Sequence, residues 1–284
     1  MSDNPVCRPI GLFDSGVGGL SVMQAVADLL PAEDMVYVAD SVHCPYGQRS
    51  PAEIRALSAG IARFLLRRGA RLIVVACNTA SAAALAHLRA TFPDVPFVGM
   101  VPAVKPAVAL SSQGVVGVLA TPVTVHGQLL ADVLHQFGEG SRVLTQVCGG
   151  LVEQIEAGQL ATPETRALLR RCLDPLLREN IDTLVLGCTH YPFLIPLIEE
   201  LAGPGLRIVA AGAAVAQQVR RVLRQRVGHT EKAAVPRYWF VTTGDGAAFD
   251  HVRQLLTPKL AGSVETARWA SGNLSVVGPW GSVL

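Results

Sequence analysis

Charge is scarce in this chain. Only 16% of its 284 residues are Asp, Glu, Lys or Arg, and the 24 basic and 22 acidic side chains are scattered with no block of one sign. A formal charge of +2 supplies no basic stripe to track a phosphate backbone, so nucleic acid is not an expected partner. Long apolar runs are missing too. The most apolar stretch, Leu72 to Leu88, is interrupted by Asn78, Thr79, Ser81 and His87, and nothing approaches the roughly 20 apolar residues that span a bilayer. Met1 to Pro9 contains Asp3 and no apolar core, so no secretory signal is expected there. Neither a C-x-x-C nor a Cys/His ligand pair occurs, and six cysteines at wide, irregular spacing do not form a disulfide framework. Reduced thiols in the cytoplasm are the expectation. Lysine occurs only at Lys105, Lys232 and Lys259, outside every motif below, which leaves no motif-borne amine for a pyridoxal Schiff base.

What is present is aliphatic and alternating. Half of the residues are hydrophobic, enough for one large domain or two ordinary ones. Short β-branched runs alternate with segments of helical period, the pattern of β/α units around a mainly parallel sheet. Strands are expected near Arg8–Phe13, Asp34–Ala39, Arg71–Ala76, Val95–Met100, Gly114–Ala120, Arg142–Val147, Thr183–Gly187, Leu206–Ala210 and Arg237–Thr242. Helices fill most gaps. Pro51 to Arg68 has Ser50 as N-cap, Pro51 at the first helical position and Gly69 as its stop, and Thr162 to Arg178 is a second clear case.

Two segments resemble copies of one another. Arg68-Gly-Ala-Arg-Leu-Ile-Val-Val-Ala-Cys77-Asn-Thr79 aligns with Glu179-Asn-Ile-Asp-Thr-Leu-Val-Leu-Gly-Cys188-Thr-His190. Upstream, Ile10-Gly-Leu-Phe-Asp14 matches Val116-Gly-Val-Leu-Ala-Thr121 at nearly the same separation. A chance pairing of apolar strands is the plainer explanation. The sharper one is two related α/β halves, each presenting a cysteine at the C-terminal end of a strand, where open α/β sheets carry their sites. The halves are expected at residues 1–100 plus 206–284, holding Asp14 and Cys77, and 101–205, holding Thr121 and Cys188. Prolines 93, 96, 102 and 106 mark the first crossover, and Gly203 to Gly205 the second.

A thiol at a helix N-terminus is favoured as thiolate, although buried cysteine is also a common small core residue. The matched frames single out Cys77 and Cys188. Cys7, Cys44, Cys148 and Cys172 have no such frame and are expected to be structural or incidental. Asp14-Ser15-Gly16-Val17-Gly18-Gly19 follows the first strand, where glycines allow close backbone approach and Asp14 can hold an ammonium group or assist a thiol. An ordinary βα turn fits as well. A nucleotide loop, with Asp40 as ribose ligand, is the rival, but Ser21 stands where its third glycine belongs. Asn78, Thr79, Thr121 and Thr189 are uncharged donors at strand ends that could grip a carboxylate or merely cap helices. Pro45-Tyr46-Gly47 is a turn by composition, and His190 draws interest only through its nearness to Cys188.

Taken with Gly11-Leu-Phe-Asp-Ser-Gly-Val-Gly-Gly-Leu-Ser21, Pro45-Tyr-Gly47, Ala76-Cys-Asn-Thr-Ala80, Leu151-Val-Glu153, Leu186-Gly-Cys-Thr-His-Tyr-Pro192 and Thr242-Thr-Gly-Asp245, the sequence resembles the glutamate racemases of the aspartate/glutamate racemase superfamily. The resemblance implies two α/β domains related by a pseudo-two-fold, with the active site in the cleft between them and neither metal nor cofactor. It implies Cys77 and Cys188 as bases, with Asp14, His190 and Glu153 assisting. Ser15, Tyr46, Gly47, Asn78, Thr79, Thr121 and Thr189, with Asp14 and His190, would surround L- or D-glutamate. It further implies a supply of D-glutamate for peptidoglycan and cell shape, a homodimer, and, from some relatives alone, contact with DNA gyrase. Val123, His126, Ala210 and Ala211 depart from the usual pattern, which puts substrate packing and regulation in question more than the reaction. A one-thiol decarboxylase or isomerase and a nucleotide-binding module remain as rival classes.

Overall fold

The computed structural model describes residues 8–137, 140–227 and 235–277. Cys7, Lys232 and the first seven residues of the N-terminal segment lie outside them. The strands, in chain order, are β1 (Ile10–Asp14), β2 (Met35–Ala39), β3 (Leu72–Val75), β4 (Phe97–Val98), β5 (Val115–Ala120), β6 (Arg142–Val147), β7 (Thr183–Gly187), β8 (Arg207–Ala210), β9 (Tyr238–Thr242), β10 (Ser263–Ala270) and β11 (Asn273–Val276). They form two sheets, ordered β11-β10-β9-β2-β1-β3-β4 and β6-β5-β7-β8. Every ladder is parallel except the β10/β11 hairpin. The run β2-β1-β3-β4 repeats the order of β6-β5-β7-β8, so β1 corresponds to β5 and β3 to β7. Asp14 and Thr121 thus end or follow the paired central strands, and Cys77 and Cys188 follow their equivalent neighbours.

The central strands β1, β2 and β3 of the first sheet and β7 of the second are buried at every position because both faces are covered, whereas β6, β8 and β10 are more exposed. Leu72 and Val74 face one core, Ile73 and Val75 the other, as the two-residue period requires. The first core continues through Leu119, Leu184 and Leu186 into the second sheet. Local signals set the helix ends. Ser50 accepts a hydrogen bond from the Glu53 N–H at 3.3 Å and Pro51 opens the helix Pro51–Arg67, while Gly69 beyond its end has φ +77°. Thr162 caps Pro163–Arg178 in the same way, accepting from the Thr165 N–H at 3.2 Å.

Three expectations are corrected. β8 pairs with β7, Thr183 opposite Arg207, so the chain stays in the second sheet past residue 206. Gly203, at φ +79°, stops the helix Ile195–Ala202 and opens a turn inside that half. The return comes at Ala211, after which the helix Gly212–Val222 packs on Leu20–Leu29 of the first half. Second, β10 and β11 extend the first sheet where no strand was expected. Their turn at Ser271 and Gly272 has two positive φ angles, 45° and 73°, the geometry that suits a tight hairpin. Third, Cys148 and Cys172, expected to be reduced and structural or incidental, are paired as a disulfide with Cα atoms 5.8 Å apart. The loop after β6 lies directly against the helix that carries Cys172. No helix among the described residues is long and apolar enough to cross a membrane.

Candidate active site

Cys77 follows β3 and is the N-cap of the helix Asn78–Thr91, its sulfur accepting from the Ala80 N–H at 3.4 Å. Burial pushes its thiol well above the usual range, and the charge of Asp14 beside it adds to the rise. Asp14, at the end of β1, is fully buried. Burial raises its carboxyl too, against the pull of His190, a hydrogen bond from Cys77, and bonds from the Ser15 N–H at 2.7 Å and the Thr189 hydroxyl at 3.0 Å. The carboxylate therefore connects the thiol of one half to the loop that carries the thiol of the other.

Cys188 follows β7, but its frame is looser than expected. A turn and the short 3-10 segment Tyr191–Leu194 come before the helix Ile195–Ala202, so Cys188 caps nothing. Its sulfur lies 3.7 Å from Nδ1 of His190, whose Nε2 is 2.6 Å from Oε1 of Glu156. Burial alone would lower the imidazole's pKa; hydrogen bonding to Cys188, Cys44 and Glu156 outweighs it and leaves His190 well above its ordinary value. Such an imidazole can exchange a proton with Cys188 while Glu156 steadies the cation. Cys44 borders this group, its sulfur 3.8 Å from the Ser15 hydroxyl, and burial lifts its thiol to about 11.

Both thiols line one narrow cavity between the halves. Asp14, Ser15, Tyr46, Gly47, Asn78 and Thr79 border it from the first half, and Thr121, Thr189 and His190 from the second. Thr79 and Thr121 are hydrogen bonded across the seam at 2.9 Å. The Asn78 side chain is buried and neither its Oδ1 nor its Nδ2 has a partner. An orphaned amide at the mouth of a helix is poised for a ligand that both accepts and donates. Tyr46 donates to Asp40 at 2.7 Å. Asp40 also accepts from Thr243 at 3.0 Å and Trp269 at 2.8 Å and lies 3.0 Å from Nδ1 of His43, which makes it a brace rather than a ribose ligand. Thr242-Thr-Gly-Asp245 supports that brace and caps the helix Gly246–Leu256 without entering the cavity.

Glu153 is not brought to the thiols. It is exposed and accepts only a 3.4 Å bond from Gln48. Glu156, one turn later on the helix Leu151–Glu156, faces inward, four positions from the cavity residue Val152. That spacing was a readable signal, since positions i and i+4 share a helix face. The glycine loop is shaped by the same group. A Cβ on Gly16 would collide with the Glu156 carboxylate and one on Gly18 with the His190 ring. Glu156 Oε1 also accepts from the Val17 N–H at 2.7 Å. The loop therefore cradles a carboxylate–imidazole pair where a nucleotide loop would hold phosphate. Val123 and His126 border a separate surface hollow with Arg55 and Ala82, and Ala211 begins its helix with no side-chain cap.

The sequence model of the family described as Asp/Glu/Hydantoin racemase matches residues 10–219. A glutamate racemase from Roseiflexus sp. (strain RS-1) is 57% identical over 226 residues, spanning 80% of this chain and 83% of its own. Among solved structures, a glutamate racemase isoform from Bacillus anthracis superposes with TM-score 0.83 at 30% identity, covering 94% of this chain and 98% of that one. The Escherichia coli glutamate racemase, in complex with L-glutamate and an activator, does so with TM-score 0.81 at 33% identity, covering 95% and 100%.

Proposed function

The chain belongs to the Asp/Glu/hydantoin racemase family, and within it to the glutamate racemases; from that premise we propose that it interconverts L- and D-glutamate by proton transfer between Cys77 and Cys188, without a cofactor. The observation that carries this is two thiols at equivalent strand ends lining one cavity with the unpaired amide of Asn78. Racemisation removes the α-proton on one face and returns one on the other, so two opposed groups do what one fixed base cannot. One starts as thiolate and the other as thiol, and each turnover exchanges those states, so their titrations are coupled.

Asp14 accepts the Cys77 proton through their hydrogen bond, and His190, held by Glu156, serves Cys188 in the same way. The raised Cys77 thiol makes a strong base once deprotonated, which suits a weakly acidic α-C–H. Asn78, Thr79, Thr121 and Thr189 grip the substrate carboxylates, and the α-carboxylate takes up the charge that develops as the proton leaves. Following the family, Cys77 acts on D-glutamate and Cys188 on L-glutamate, with Ser15, Tyr46 and Gly47 completing the pocket. In this reading the domains are residues 1–100 plus 211–284 and 101–210, the boundary expected at 206 moved past Ala210 by the pairing of β8. Its role is supply of D-glutamate for peptidoglycan in the cytoplasm. A homodimer and contact with DNA gyrase are carried by the resemblance alone.

The test is incubation of purified protein with L-glutamate in deuterated water, without added cofactor, followed by circular dichroism and mass spectrometry. Loss of optical activity with deuterium at the α-carbon is the expected result. Turnover of aspartate equal to that of glutamate would overturn the substrate assignment, and absence of α-deuterium would overturn the mechanism.

A further inference from the structure

We infer that Cys44, Glu156 and His190 form a binding site for a zinc-class divalent cation beside the Cys188 arm of the active site, and that its occupancy inhibits racemisation. The three residues come from separate segments, the turn before Pro45, the end of the helix Leu151–Glu156 and the loop after β7, so no spacing motif announces them. One ligand atom from each lies within 4.8 Å of the other two. No other group of three or more Cys, His, Asp or Glu with that closeness occurs among the described residues.

The donor set fits the cation. Thiolate sulfur, imidazole nitrogen and carboxylate oxygen are the three ligand types zinc takes, and a trio leaves a fourth tetrahedral position for water. With bonds of about 2.0–2.3 Å, tetrahedral ligand atoms stand roughly 3.5 Å apart, so side-chain shifts of about 1 Å suffice, with the His190–Glu156 pair opening from its 2.6 Å contact to admit the cation. A thiolate and a carboxylate together neutralise a dication, which suits a site this far from bulk water. Cys44 and Glu156 are half-buried and give the cation a way in, while His190 forms the floor. The Val17 N–H already orients Glu156 Oε1 at 2.7 Å, the kind of outer contact that steadies a metal ligand. Binding forms bonds to the Cys44 sulfur, one His190 nitrogen and one Glu156 oxygen, and both the Cys44 thiol proton and the proton on the ligating His190 nitrogen leave to solvent; nothing is oxidised or reduced.

Inhibition follows because a metal-bound imidazole can no longer exchange a proton between Glu156 and Cys188. This consequence rests on the role proposed above for His190; cation binding does not. The cation is therefore no part of the reaction. The competing ligands are the catalytic thiols themselves, and the test separates them.

The purified full-length protein, stripped with chelator, is titrated with Co2+ and with Zn2+ against a chromophoric chelator. Expected are one equivalent bound and a thiolate-to-cobalt absorption band in the wild type, in Cys77→Ala and in Cys188→Ala, but not in Cys44→Ser. Measured against its own activity in chelator, Cys44→Ser should need at least about tenfold more Zn2+ for half-inhibition than the wild type does, in line with the loss of affinity when a metal site is disturbed. A band that survives Cys44→Ser and disappears in Cys77→Ala or Cys188→Ala would place the metal on the catalytic thiols and overturn the inference, as would absence of binding. Should Cys44→Ser not fold, alkylation of Cys44 in the wild type decides the point. Zn2+ must slow it, and an unchanged rate overturns the site. Failure of the racemase reading would appear separately, as no turnover by the wild type in chelator.

Discussion

Asn78→Leu should make the protein more stable and a worse enzyme. The Asn78 amide is buried with both polar atoms unpaired, and each such atom costs about 1–3 kcal/mol relative to a satisfied or apolar group. Leucine has nearly the same shape and removes both atoms, so substrate-free stability should rise by about 1–3 kcal/mol after some loss to imperfect packing. Hydrogen bonds to a charged substrate are worth about 1.5–3 kcal/mol, so losing them should raise KM for glutamate roughly 10- to 100-fold. The assay is urea denaturation with and without glutamate. Wild type should gain about 2.7 kcal/mol at a ligand concentration a hundredfold above its Kd, and the variant only about 0.4–1.4 kcal/mol at that same concentration. Destabilisation by Asn78→Leu would mean that ordered water already satisfies the amide, and an unchanged KM would remove Asn78 from the substrate site. Either result refutes the reasoning.

Four further substitutions test other contacts. Cys77→Ala and Cys188→Ala should each abolish racemisation while leaving one thiol able to remove a proton. Glutamate with a leaving group at the β-carbon should then be eliminated in one enantiomeric series by Cys77→Ala and in the other by Cys188→Ala; near wild-type racemisation by a folded variant would exclude the missing cysteine as a base. Glu156→Gln should lower kcat unequally in the two directions and move the His190-dependent limb of the pH profile to lower pH, since Glu156 helps hold that imidazole above its ordinary value. The fall in kcat/KM must be equal in both directions because the enantiomers have equal free energy, so an unshifted pH limb is the outcome against it. Asp182 ties the start of β7 to the 111–113 turn, accepting from Ser111 at 2.6 Å and from the Ser112 and Gln113 N–H groups at 2.6 and 2.9 Å. Burial acts to raise its carboxyl, but these hydrogen bonds overcome that and hold it below 3.8, so its stabilisation is present above about pH 4 and is lost as pH falls. Asp182→Asn should therefore be less stable than wild type in denaturant at pH 7, with the gap narrowing towards pH 3; a constant gap would contradict the linkage.

Strands are present at all nine expected places; β1, β2, β3 and β7 are short runs buried at every position, the case in which composition alone identifies a buried parallel strand, while β6 and β8 are the more exposed edges of the second sheet. β10 and β11 escaped because Ser263–Ala270 lies near the sheet edge and alternates polar residues with Val264 and Ala267, which blurs the signal. The consequence reaches the site, since Trp269 on β10 donates to Asp40, which in turn holds Tyr46. Glu153 and Glu156 show a different limit. Motif matching fixes on a short string, whereas the helix turns by about 100° per residue and decides which carboxylate faces inward. Cys44 had no frame at all, because its neighbours Glu156 and His190 arrive from distant segments of chain.

The seam explains why a duplicated fold is suited to this chemistry. Each half presents one thiol at a strand end, and neither half encloses a substrate. The auxiliary groups are exchanged across the seam: Asp14 of the first half accepts from Thr189 of the second, and Glu156 of the second accepts from Val17 of the first. Thr79 and Thr121 close the gap between them. In the proposed reaction, a substrate entering between the halves exchanges some of these bonds for ones to its own carboxylates and ammonium, so binding energy would be spent on assembling the two thiols against opposite faces of the α-carbon. The glycines at Gly16 and Gly18 are what permit that assembly. A Cβ at Gly16 would meet the Glu156 carboxylate and one at Gly18 the His190 ring, so a side chain at either position displaces the pair from its present place.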